Sequence, residues 1–258
     1  HLAADGVAVR ALTHSGADDF PAEVEVIAGD LNDPSTIDFD GVDALFLLAV
    51  VPGFAPAFVT AAATAGVRRI VFQSTSAIDD DADVQPNDVP AFHHDIEKII
   101  IGSGLEYVFL RLDVASSDPL QWAFDVQQQL ALGDVVRGPY AEAATSPIHP
   151  ADFAAVAVAA LTTGAYVGQA LHVTGPVSLT HAEQIALIGA AHGRHLRYEE
   201  FSEGEARSAI SPYAPADLLF DMWCTHRTGP APVTDVIQRV TGRAARTPQE
   251  WAASYPIA

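Results

Sequence analysis

The chain has 258 residues, 49% of them hydrophobic, and a formal net charge of −20. Its length suits one large α/β domain, or one domain with a small appendage, and its apolar share suffices for a sizeable core. The charge excludes a nucleic-acid partner, which needs clustered Lys and Arg, and an anionic membrane surface; no apolar run reaches the roughly 18 residues of a transmembrane helix.

Residues 1–6 read as the tail of a helix, and Val7–Leu12 as the buried strand after it. In an open α/β sheet such a helix normally has another strand ahead of it. Roughly 15–20 further residues, with a glycine-rich turn among them, are therefore expected before His1. Further apolar runs typical of buried parallel strands are Val24–Ala28, Ala44–Leu48, Arg69–Gln73, Tyr107–Leu110 and Ala170–Val173. Helical patterns lie between them. Phe54–Ala65 is closed by Gly66, and Ala91–Gly102 carries Ile96, Ile99 and Ile100 at helical spacing. Pro119–Leu132 is a further helix, and Asp152 caps Phe153–Leu161. Thr180 and Glu183 form a capping box ahead of Ala182–Ala191. The acidic run 79–83 reads as a solvated loop.

Strands alternating with helices predict an α/β fold: a Rossmann-like, doubly wound parallel sheet. From about Ala170 the rhythm changes, predicting a smaller C-terminal α/β subdomain that binds substrate. Residues 1–169 form the expected dinucleotide-binding domain, its first strand missing. Residues 170–258 form the subdomain, partly interleaved with 112–150. The lone cysteine, Cys224, leaves no internal disulfide framework and suits a reducing cytoplasm.

Val9-Arg10-Ala11-Leu12-Thr13, Val24 through Pro34, Gly41 through Leu48, and Gly102 through Tyr107 followed by Leu110-Arg111 stand in this order along the chain. Together they resemble the NmrA-like, NAD(P)-binding branch of the atypical short-chain dehydrogenases/reductases. Val173-Thr174-Gly175-Pro176 and Val240-Thr241-Gly242-Arg243, then Trp251, extend the likeness to the C-terminal part.

The resemblance implies a cofactor, NAD or NADP, held beyond the C-terminal strand ends. His14 stands where many relatives carry Arg after Leu-Thr. Neutral imidazole substitutes poorly for a guanidinium against a 2′-phosphate, which favours NAD; the alternatives are a decayed site or a plain surface loop. Asp30 and Leu31 correspond to residues beside the adenine, although Asp30 also suits a simple turn. Leu48, Ala49 and Val50 end a strand where the nicotinamide ribose is expected, with Ser74 and Thr75 on the next strand end. Typical members pair a Ser there with Tyr-x-x-x-Lys on the following helix; this chain lacks that pair. His93 or His94 is left as candidate proton donor, alongside Ser74. His149 is a third candidate from a loop, and Asp152 nearby reads as a helix cap. Leu112–Asp118 departs from the family, where Arg-Pro is usual, which puts Val114 in a changed substrate pocket with Trp122 and Tyr140 as an aromatic wall.

The sequence predicts an NAD(P)-dependent oxidoreductase acting on a small aromatic or quinone-like molecule. Two alternatives share the fold: a natural-product tailoring enzyme without conventional hydride transfer, and a redox-inactive dinucleotide sensor. No HExxH, Cys/His, Gly-x-Ser-x-Gly or P-loop spacing occurs, so no metal is expected. A small-molecule substrate, a cytoplasmic location and a monomer or homodimer complete the expectation.

Overall fold

The computed structural model describes residues 2–14, 20–49, 53–112, 123–212, 216–255 and 257. In chain order its regular elements begin with β1 (Val9–Thr13), β2 (Val24–Ala28), β3 (Ala44–Leu48), α1 (Ala55–Thr64), β4 (Arg69–Thr75), α2 (Asp88–Gly102) and β5 (Glu106–Leu112). There follow α3 (Val126–Leu132), β6 (Val135–Gly138), β7 (Ala144–Thr145), α4 (Pro150–Thr162), β8 (Gln169–Val173), β9 (Leu179–Thr180), α5 (His181–Ala191) and β10 (Arg197–Glu200). The chain closes with α6 (Glu203–Ala209), α7 (Ala216–Thr225), α8 (Val236–Thr241) and α9 (Pro248–Ala253). Two compact units result: His1–Arg111 with Ala154–Leu171, and Leu112–Phe153 with His172–Ala258.

In the first unit β1 pairs parallel with β2, and β3 parallel with β4. β3, β4, β5 and β8 form one hydrogen-bonded set in that order; β1 and β2 form another. All of β4 except Gln73 is buried, as its continuous apolar run requires of an internal strand. Phe54, Phe58, Ile70, Phe72, Ile96, Ile100 and Phe109 make one core with α1 and α2. Helix α2 starts three residues before the expected Ala91. Asn87 explains this: its side chain accepts the Val89 N–H at 3.1 Å, and Pro90 is tolerated in a first turn.

Buried Arg69, the first residue of β4, gives the last turn of α4 its hydrogen-bond partners. Its guanidinium donates to the carbonyls of Ala160, at 2.9 Å, Leu161 and Thr163, and pairs with Glu106 at 2.7 Å. Those carbonyls include ones a helix terminus cannot satisfy itself.

In the second unit β6 pairs parallel with β10, and β7 antiparallel with β9. The core is aromatic: Phe124, Tyr140, Phe220, Trp223, Trp251 and Tyr255 pack with Ile185 and Ile188. The capping box of Thr180 and Glu183 forms as the sequence indicates, with α5 starting at His181. His181 itself is fully enclosed; burial pushes its pKa down to about 4, so the ring stays neutral, and Nδ1–H donates to the Pro139 carbonyl at 3.1 Å.

Two helix expectations need correction. The helix expected over Pro119–Leu132 is interrupted at Asp125, whose φ of 45° is left-handed and whose carboxylate caps α3 through the Gln128 N–H; residues 119–122 lie outside the described residues. The N-cap of α4 is not Asp152. The helix starts at Pro150, and His149 Nδ1 accepts the Ala151 N–H at 3.1 Å. Pro at the first helical position puts the cap one residue earlier, and that rule outweighs Asp's preference for caps. Asp152 instead accepts the backbone N–H of Arg246 at 2.7 Å and pairs with its guanidinium.

Candidate cofactor site

Parallel pairing sets the carboxyl ends of β1 and β2 side by side, with Thr13 opposite Ala28. It does the same for β3 and β4, where Leu48 lies opposite Gln73. Such strand ends are where open α/β sheets bind ligands, because the connecting turns expose backbone groups there.

At the first pair, His14 is exposed. Gly29 lets the following turn lie close: a Cβ there would come within 2.9 Å of Leu12 Cδ1 and 3.1 Å of Ile37. Asp30 opens that turn. Its N–H donates to Thr36 Oγ1 at 2.9 Å, and its Oδ1 accepts the Asn32 N–H at 2.8 Å. The second carboxylate oxygen has no protein partner among the described residues. Leu31 is half-buried against the core. So Asp30 makes the turn and still presents an acceptor.

At the second pair, Leu48 is 49% exposed and Ala49 is half-buried. Ser74 and Thr75 are both buried. The Ser74 hydroxyl donates to Glu97 Oε1 at 2.6 Å, while Thr75 Oγ1 accepts the Ala77 N–H. His93 is half-buried on α2. Its Nδ1 donates to the Val89 carbonyl at 2.9 Å, and its ring stacks on Phe72 and meets the edge of Phe92. Burial pushes its pKa down, so the ring is neutral and its one proton is already engaged.

His149 and Tyr140 belong to the second unit. His149 serves as the α4 cap. Tyr140 is buried at a left-handed φ of 49°. Its hydroxyl donates to Glu203 at 3.2 Å, and Arg227 lies 4.8 Å over its ring. Burial, then Glu203, raises its pKa. Val50, Val114 and Trp122 lie outside the described residues. Among the described residues no cluster of His, Cys, Asp and Glu could hold a metal ion, and no helix is long and apolar enough to cross a membrane.

The sequence reading missed Glu97, Arg111 and Asp80. Arg111 donates to both carboxylates, at 2.7 Å to Glu97 and 2.6 Å to Asp80. Burial opposes its charge, but the hydrogen bonds to Asp80 and Glu97 outweigh burial and raise its pKa. The acidic loop is thus tied down through Asp80. A signal was present: Glu97 falls on the inward stripe of His93, Ile96 and Ile100, where a charge needs a partner.

Residues 1–163 match the family described as NAD(P)H-binding. The chain belongs to the NAD(P)H-binding family. As an enzyme it is an oxidoreductase of the atypical short-chain dehydrogenase type, the branch whose likeness its segments carry. This NAD(P)H-binding chain is 35% identical to a (4-alkanoyl-5-oxo-2,5-dihydrofuran-3-yl)methyl phosphate reductase of Streptomyces griseus subsp. griseus, over 90% of this chain and 83% of that one. It is 32% identical to an NAD(P)H azoreductase of Xenophilus azovorans, over 91% and 84%. Its fold resembles that of an NADPH-dependent quinone oxidoreductase of Escherichia coli, with a TM-score of 0.72 at 21% identity over 98% and 93% of the two chains.

The residues present fit the nucleoside part of the cofactor. Asp30 offers an unengaged acceptor oxygen, and Leu48 an exposed apolar surface, at the strand ends where such a group binds.

Proposed function

We propose that this protein reduces a small, conjugated, electron-poor acceptor such as a quinone, an azo compound or an enone, with NADH preferred to NADPH. The bound nicotinamide supplies the hydride. Asp30 and Leu31 hold the adenine end, and Leu48 and Ala49 border the nicotinamide ribose. The unit 1–111 with 154–171 carries the dinucleotide.

The observation that carries the acceptor class is the state of the candidate acids. Ser74 gives its proton to Glu97, and His93 gives its proton to Val89. Reducing a simple ketone generates a localised alkoxide and depends on a positioned acid. A conjugated acceptor spreads the incoming charge and can take its proton from water. The relatives' names agree in kind: a dihydrofuranone, an azo and a quinone acceptor are all conjugated.

The nucleotide preference rests on His14. An imidazole lacks the permanent charge and fork geometry of the guanidinium that holds a 2′-phosphate. Equilibrium titration with NADH and NADPH tests the reading. Wild type binds NADH more tightly, and His14→Arg moves the ratio of dissociation constants toward NADPH by about tenfold, the scale of one charge-assisted hydrogen bond. A ratio unmoved by the substitution takes His14 out of the site, and no binding of either nucleotide removes the reading itself.

A further inference from the structure

We infer that Glu97 is a positioning residue that fixes the Ser74 hydroxyl as a hydrogen-bond acceptor toward bound nucleotide. This rests on the nucleotide-binding reading above. Glu97 is 2% exposed on a helix face otherwise made of Ile96, Ile100 and His93. A carboxyl group in that setting needs hydrogen-bond and charge partners on both oxygens. It has them: Oε1 accepts the Ser74 hydroxyl at 2.6 Å and Arg111 Nε at 3.1 Å, and Oε2 accepts Arg111 Nη2 at 2.7 Å. Arg111 continues to both oxygens of Asp80, at 2.6 and 2.7 Å. One network therefore joins β4, α2, β5 and the turn after β4.

Apolar side chains of similar volume would hold these elements together as well. What they would not do is orient a hydroxyl. A serine hydroxyl has one proton and two lone pairs. Committed to a carboxylate, that proton is unavailable, and the oxygen, polarised by its strong acceptor, becomes a better acceptor itself. Ser74 then suits ligand donors: the ribose hydroxyls and carboxamide N–H groups of a nicotinamide nucleotide. It does not protonate substrate. Asp80, reached through Arg111, sets the turn that follows.

Nucleotide titration by tryptophan fluorescence, paired with thermal melts, tests this on wild type, Ser74→Ala, Glu97→Gln and the double variant. Ser74→Ala leaves the Glu97–Arg111 pair in place and is the variant that decides if Glu97→Gln folds poorly. The expected result is that each single change weakens NADH binding by about tenfold, the scale of one hydrogen bond. The double change weakens it no further, because Glu97 acts on the nucleotide only through the Ser74 oxygen. If the two losses multiply, or if Ser74→Ala binds NADH within twofold of wild type, Glu97 holds the fold and nothing else. Wild type that binds neither nucleotide overturns the underlying reading as well, so the two failures are distinguishable.

Discussion

Gly175→Ala is expected to lower the melting temperature by roughly 10–15 °C, the scale of a loss above about 4 kcal/mol in a chain of this size. A Cβ on residue 175 would sit 1.9 Å from the Pro147 carbonyl oxygen, 2.6 Å from its carbon and 3.0 Å from the Ser146 oxygen. These are backbone atoms, so no side chain can swing aside. Moving the backbone instead breaks the Gly175 N–H bond to the Ser146 carbonyl, 3.0 Å long. It also disturbs a knot of three segments. Ser146 donates to the Pro232 carbonyl, the Thr234 N–H donates to Thr174 Oγ1, and the Thr234 hydroxyl donates to the His172 carbonyl. Gly102→Ala is the control: nothing lies within 4 Å of a Cβ there, and the last residue of a helix accepts Ala. A Gly175→Ala melt within two or three degrees of the control, on the same scale, would contradict this packing.

Arg69→Met is expected to remove about 3 kcal/mol, or roughly 6–12 °C. The methionine fills the space but leaves three carbonyls at the end of α4 without their donor, and Glu106 without its buried partner. Arg68 next to it is the comparison. It pairs with Asp43 and Glu106 but is 43% exposed, so Arg68→Met should change stability by less than about 1 kcal/mol. Equal effects at the two arginines in chemical denaturation would refute the capping role of Arg69.

What the sequence made legible follows from which signals are local. Short apolar-rich runs marked β2 and β3 to the residue, because strand composition is a signal carried within a few neighbouring residues. The capping box of α5 was legible for the same reason: Thr180 and Glu183 are three residues apart. Caps that combine two rules were harder. At α4 the side chain type pointed to Asp152, while Pro150 fixed the start and left His149 to do the capping. Gly175 and Gly242 were visible only as parts of a resemblance. The structure supplies their reasons, a backbone crossing for the first and a left-handed helix end, φ 71°, for the second.

The candidate site divides along the same line. Strand order placed His14, Asp30, Leu48 and Ser74 at carboxyl strand ends, since parallel pairing leaves them nowhere else. Which protons were free was not legible. Glu97 lies 23 residues from Ser74 and 14 from Arg111, and only the packing of α2 on the sheet brings them within hydrogen-bond distance. That contact engages the proton of the strand-end serine, and on the proposed reading leaves its oxygen to accept rather than donate.

Steady-state oxidation of NADH by a panel of acceptors tests the central claim most directly. Conjugated acceptors, a quinone and an azo dye, should each drive oxidation that depends on both acceptor and protein, while a saturated ketone of similar size should not. Turnover of the ketone at a rate matching the quinone would show a working acid other than Ser74 and His93 and contradict the account, and failure of every conjugated acceptor would contradict the reductase assignment itself.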